Sequence, residues 1–187
     1  MEKISYYLIT VSSFFLFILT SFTKGFPAEI SDLEVSLINK DIYVSASLRT
    51  DSNFINSLNE GMTKELVFFI DLFRVWNIWP DEFITGKKIV RILKSDPIKR
   101  EYSAINIDGS LQIEKRFKNV ESMIEWALKI SDLRLLNFKE LDKGAYFVKV
   151  TVESRIRKLP PLIGFIFFFV PEKEFSISRQ SKSFQLN

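Results

Sequence analysis

The sequence predicts a mainly β (α+β) exported domain, an antiparallel β-sandwich or curved sheet with one packed helix, after an N-terminal hydrophobic segment. Three observations in the 187 residues carry this reading. Strand-sized runs alternating apolar and polar side chains recur at short spacing, a helical period shows clearly only near residues 120 to 130, and the first apolar run is long enough for a bilayer core.

Residues 4 to 23, ISYYLITVSSFFLFILTSFT, carry no formal charge and lie between Lys3 and Lys24. A soluble helix of that length would show a polar stripe, and here only Ser and Thr interrupt the apolar side chains, so export is the expected role. Cleavage after Gly25 or Ala28 releases the domain; without it the run remains as an anchor. Residues 1–24 are read as signal peptide or signal anchor and 25–187 as a single β-rich domain at the periplasmic side of the cytoplasmic membrane.

Within that domain, Leu33, Val35 and Leu37 alternate with Asp32, Glu34 and Ser36, and Ile42, Val44, Ala46 and Leu48 repeat the pattern after Asn39-Lys40-Asp41. A hairpin follows. Ser52 to Glu60 reads as a short helix or turn closed by Gly61. Leu66 to Trp76 is apolar on both faces at first, as in a central strand. Ile89 to Leu93 and Ile98 to Ile107 read as two strands divided at Asp96-Pro97, and Asp108-Gly109 turns the chain into Leu111 to Phe117. Asn119 caps an expected helix over 120–130, where Val120, Met123, Ile124 and Ala127 share a face. Ala145 to Arg157 then alternates as a long antiparallel strand.

The absence of Cys and His excludes Ser-His and Cys-His nucleophile pairs, imidazole or thiolate metal sites, haem and iron–sulfur ligation, and disulfides. No cofactor or metal is expected, and no catalytic residue is assigned. At 26 Lys+Arg against 23 Asp+Glu, with the basic residues scattered, no nucleic-acid partner is expected either.

Candidate residues remain. Asp71 sits between Phe69 and Phe73 on one strand face, an apolar setting that raises a carboxylate's pKa; a cross-strand ion pair is the structural alternative. Trp79-Pro80-Asp81 matches the general-acid loop of tyrosine phosphatases, but a chain without Cys lacks their nucleophile, so a packed Trp at a strand-ending turn is expected. Asp96 before Pro97 reads as a turn residue. Leu159-Pro160-Pro161-Leu162 and the following IGFIFFFV are too short to span a bilayer. They form either a buried strand or a Phe-rich surface that leans on lipid or a partner through Phe165, Phe167 and Phe169.

The order of these motifs resembles a bacterial exported family catalogued as domain of unknown function 4390, over about residues 30 to 180. The likeness rests on Leu58 to Gly61, on Asp71, Leu72 and Arg74 leading to Trp79-Pro80, and on Arg91 to Tyr102 with Asp96. It continues with the helix after Phe117, Gly144 with Tyr146, and Leu159-Pro160-Pro161-Leu162. The resemblance implies an envelope location and no particular activity.

The leading expectation is a non-enzymatic envelope binding domain with an envelope protein or lipid as partner and Asp71, Arg74, Trp79 and the three Phe residues as candidate contacts. A lipid or apolar-ligand binding protein and an acid–base enzyme using Asp71, Asp81 or Asp96 are the alternatives.

Overall fold

A computed structural model describes residues 28–157 and 172–186. The expected antiparallel sandwich is present. Chain order is β1 (Ala28–Ile38), β2 (Asp41–Thr50), α1 (Ser52–Asn59), β3 (Thr63–Arg74), β4 (Glu82–Asp96), β5 (Glu101–Asp108) and β6 (Leu111–Phe117), then α2 (Val120–Ala127), β7 (Lys129–Asn137), a 3-10 turn at Phe138–Glu140, β8 (Gly144–Arg157), β9 (Glu172–Gln180) and β10 (Phe184–Leu186). One sheet runs β1-β2-β7; the other runs β10-β8-β3-β4-β5-β6, with β9 also on β8.

Local chemistry explains the turns. Asn39 and Lys40 both have positive φ, the type I′ geometry that matches strand twist, and place Ile38 opposite Asp41. The alternation in β1 is broken by a bulge between Ser31 and Glu34, with Asp32 at φ 50°, so that Ile30 is buried while Leu37 is left exposed.

The segment at 52–60 is a helix, capped at its start by Asp51, whose Oδ1 accepts from the Phe54 N–H. Gly61 at φ 84° closes it, its N–H bonded to Leu58 O. The described residues thus hold two α-helices, where the sequence reading was one helix and, at 52–60, a short helix or turn. The second is capped by Asn119 as expected but stops at Ala127, because Leu128 already turns into β7 and its carbonyl accepts from the Leu48 N–H.

The two segments expected at 89–93 and 98–107 prove to be the end of a 15-residue β4 and the whole of β5. Asp96 is the turn residue between them, its Oδ1 accepting from the Lys99 N–H. β4 begins early because its polar half, Glu82 to Lys88, pairs with β3 over one residue after another. Ladder hydrogen bonds carry it where side-chain alternation is weak.

The core lies between the sheets. Ile42, Val44, Ala46 and Leu48 of β2 face Leu66, Phe68, Ile70 and Leu72 of β3 and Val148, Val150 and Val152 of β8, with Phe54, Leu58, Met123 and Ile124 plugging one end. The alternation read in β8 is the observed one, Tyr146, Val148, Val150 and Val152 being buried. The run at 159–170, with Phe165, Phe167 and Phe169, lies outside the described residues, as does 4–23.

The strand directions give the sandwich two distinct ends. At one end sit the Asn39-Lys40 turn, the β3–β4 loop and the β7–β8 connection. At the other sit α1, Gly61 and the β4–β5 turn. Thr63 is paired with Arg157 there, so β8 leaves and β9 enters at that end, and β1 starts toward it, Ala28 opposite Thr50.

Candidate functional site

The hairpin of β3 and β4 runs past the sheet and ends in Val75-Trp76-Asn77-Ile78-Trp79-Pro80-Asp81. The last ladder pair is Arg74 with Glu82, and Pro80, with no N–H to give, cannot extend it. Ile78 is 90% exposed, Trp79 75%, Phe83 57% and Trp76 42%. Four large apolar side chains in water at one hairpin end are more than scattered surface residues account for, and Trp suits a surface with both apolar and polar character. The expectation of a packed Trp79 is therefore corrected. The tip lies past the last ladder pair, Arg74 with Glu82, and its rings are in water.

Beneath the tip, Arg74 is a clamp. Its Nη1 meets Asp142 Oδ2 at 3.1 Å, its Nη2 donates to Lys143 O at 3.0 Å, and its guanidinium lies 4.5 Å from the Trp76 ring centre. Trp76 Nε1 donates in turn to Glu82 Oε2 at 3.2 Å across the hairpin. A Cβ on Gly144 would come 3.3 Å from Arg74 Nε, so a residue without a side chain lets the guanidinium close on the β7–β8 connection. Tyr146 completes the base, its hydroxyl donating to Asp142 O at 2.7 Å. Arg74, Gly144 and Tyr146, scattered in sequence, are thus one support that orders the loop's base and leaves Ile78 and Trp79 free to make contacts.

Asp71 is nearby but on the opposite, outer face of the larger sheet, between Gly86 on β4 and Lys149 on β8. Burial raises its pKa, and Lys149 acts against this. A Cβ on Gly86 would collide with Asp71 Oδ1, so this glycine makes the room in which the carboxylate lies. Beside it Phe73 stacks on Phe147 at 5.3 Å and meets Phe83 edge-on at 5.7 Å. A raised carboxyl pKa means that the folded state holds the proton to higher pH, so ionisation of Asp71 costs stability as pH rises. Asp71→Asn is expected to match or exceed the parent's stability at neutral pH, the difference vanishing at acid pH where both are uncharged. Urea denaturation at the two pH values measures this; a large loss at neutral pH would mean that the charged form is the one the fold uses.

The three carboxylates considered for acid–base work are not assembled. Asp81 lies in the exposed tip, Asp71 on the sheet face, and Asp96 ten residues along β4 from Gly86, about 33 Å in an extended strand. No group of three or more acidic residues that could hold a metal ion occurs among the described residues. No helix among them is long and apolar enough to cross a membrane.

Sequence reasoning found Arg74 and Trp79 but missed Trp76, Ile78 and Phe83. The available clue was three large apolar residues in a loop whose Asn, Pro and Asp mark it as surface.

A family model described as Domain of unknown function (DUF4390) matches residues 27–183. The chain belongs to this family. The match spans the tip and every described strand except β10, so the motif order that suggested the family lies within it. Within the DUF4390 domain, Arg74, Gly144 and Tyr146 form the clamp, Asp96 makes a turn, and Arg91 holds the end of α2 through carbonyl contacts. Neither the curated proteins nor the solved structures hold a match to this chain.

Proposed function

We propose that this DUF4390 protein is an exported, non-enzymatic binding domain that uses the β3–β4 tip to engage another envelope protein. The observation that carries this is the polarity of the sandwich. The described chain ends adjoining the two most apolar sequence runs, Ala28 after 4–23 and Arg157 and Glu172 around 159–170, point to one end, and the exposed Trp and Ile side chains occupy the other. If the apolar runs engage the cytoplasmic membrane, the 12 residues of β3 hold the tip about 40 Å away from it. At that distance its target is a protein, with a groove for Ile78 and Trp79, rather than the same bilayer.

The test is photocrosslinking in cells with a benzophenone side chain at position 78 or position 98. Ile98 is 94% exposed in the β4–β5 turn, at the membrane-facing end. The expected result is a discrete protein adduct from 78 and lipid adducts from 98. Lipid alone at 78 would overturn the reading in favour of membrane insertion by the tip. Replacing Ile78 and Trp79 together with Ser, the probe moved to position 83, is expected to abolish the protein adduct while changing stability by less than about 0.5 kcal/mol, since both side chains are already in water.

A further inference from the structure

The larger sheet has two edges, and they are treated differently. β8 is covered along its length by β9 and β10. Among the described residues β6 has no neighbour beyond β5, and Leu111 to Arg116 are all exposed.

The hairpin that forms β6 fixes which backbone groups are free. Asp108 pairs with Leu111 across a two-residue turn with Gly109 at φ 58°, and the register continues without a shift to Tyr102 and Phe117. In such a hairpin the residues flanking the turn exchange hydrogen bonds, and every second residue after them does the same. Leu111, Ile113, Lys115 and Phe117 therefore bond to β5. Gln112, Glu114 and Arg116 turn their N–H and C=O groups away from the sheet.

The side chains beside this edge are equally open. Leu111 is 58% and Ile113 51% exposed, although both share the face of β6 that carries the half-buried Phe117. Next to them lies a recess of about 500 Å³ between β6, α2 and β7. Its charged lining is Arg91, Lys115 and Lys129 against Glu125. Arg91 is occupied with carbonyls. Lys115 lies 5.2 and 5.3 Å from the ring centres of Phe117 and Trp126, and neither it nor Lys129 has a carboxylate partner among the described residues.

We propose that β6 takes an extended acidic segment of a partner protein as an eighth strand. Its main chain bonds to Gln112, Glu114 and Arg116, an apolar side chain covers Leu111 and Ile113, and a carboxylate reaches Lys115 and Lys129. A second copy of this chain is the poorer occupant. Antiparallel self-pairing centred on β6 sets one Glu114 against the other, and like charges directly opposite destabilise a pair. This site is separate from the tip, and its test is independent of the tip's.

The experiment uses full-length protein in nanodiscs of neutral lipid and two capped heptapeptides whose odd positions share one strand face as Leu111, Ile113 and Lys115 do, Glu-Ser-Val-Ser-Val-Ser-Glu (the Val-Glu peptide) and the same with Lys for Glu (the Val-Lys peptide). Amide hydrogen exchange is read residue by residue. The Val-Glu peptide is expected to slow exchange at Gln112, Glu114 and Arg116, with the Val-Lys peptide at least about ten-fold weaker, and charge reversal by K115E with K129E is expected to invert that preference. Glu114→Pro removes an outward N–H that β5 does not use, so the hairpin tolerates it and peptide binding is lost. The proposal is overturned by equal protection from both peptides, by binding that survives in folded E114P, or by no protection at saturating Val-Glu peptide. It is equally overturned if these amides are already protected in the protein alone with a concentration-dependent dimer, which would make a second copy the occupant.

Discussion

Replacing Glu174 with Ala is expected to lower the unfolding free energy by about 3–5 kcal/mol, the cost of leaving a buried charge without its partner. Lys64 has no solvent-exposed surface, and its Nζ lies 2.7 Å from Glu174 Oε1. It also sits 4.3 Å from the centre of the Phe54 ring, an apolar neighbour. The other carboxylate oxygen of Glu174 accepts from Ser154 Oγ at 2.8 Å.

A bulge between Ser154 and Arg155 delivers the carboxylate. Phe175 pairs with Ser154 and Lys173 with Arg155, so Glu174 is the extra residue of β9 and turns inward. Removing it leaves a buried ammonium without its carboxylate, and β9 loses its polar tie to β3. Replacing both Lys64 and Glu174 with Met is expected to cost much less than E174A alone, since no charge then remains to be desolvated. Equilibrium urea denaturation of both variants checks this. A loss below about 1 kcal/mol for E174A would mean that Lys64 reaches water or another acceptor once the carboxylate is gone.

The second large effect is expected at Arg91, where Met should cost about 3–5 kcal/mol, because breaking a buried charged hydrogen-bond set leaves its acceptors unsatisfied. Nη1 donates to the carbonyls of Trp126, Ala127 and Lys129 at 2.9, 2.8 and 2.7 Å. Nε donates to Asn106 Oδ1 at 3.2 Å. The last carbonyls of a helix have no partner within it, and here one guanidinium from the neighbouring sheet binds them while its charge meets the negative end of the helix dipole.

Its planar face is used as well, lying 4.6 Å from the Trp126 ring centre and 5.5 Å from that of Phe68. Arg91→Lys is expected to recover only part of the loss, since one ammonium cannot span the carbonyls and Asn106 together. Burial lowers the Arg91 pKa to about 10. Below that pH both folded and unfolded chains carry the proton, so the R91M loss is expected to be flat from about pH 5 to 9. Thermal denaturation across that range, followed by circular dichroism, reads both the size of the effect and its pH dependence. A loss that changes across it would place the effect on another titrating group.

Much of the fold was legible because its causes are local. Period-two alternation marks β2 and β8, Asn39-Lys40 and Asp108-Gly109 are turn chemistry, and Asp51 and Asn119 are caps within three residues of the N–H groups they satisfy. β7, β9 and β10 were not recognised. In β7 the apolar residues bunch as Leu133, Leu135 and Leu136 beside a positive-φ Asp132, so the alternation that would announce a strand is broken. β10 is three residues long and exists because β8 offers it an edge.

By itself the sequence determined the fold class, the apolar segment at 4–23, the absence of Cys and His chemistry, and membership of the DUF4390 family. These depend on composition, period and motif order along the chain. Only the tertiary structure decided that Arg74 and Asp142 are a pair, that Lys64 meets Glu174 across 110 positions, and that Arg91 serves a helix 35 residues away. It alone left Trp79 in water and, among the described residues, β6 without a neighbour beyond β5. Side-chain partners and exposure are set by which strands become neighbours, and that choice belongs to the burial of the whole core rather than to any local run of residues.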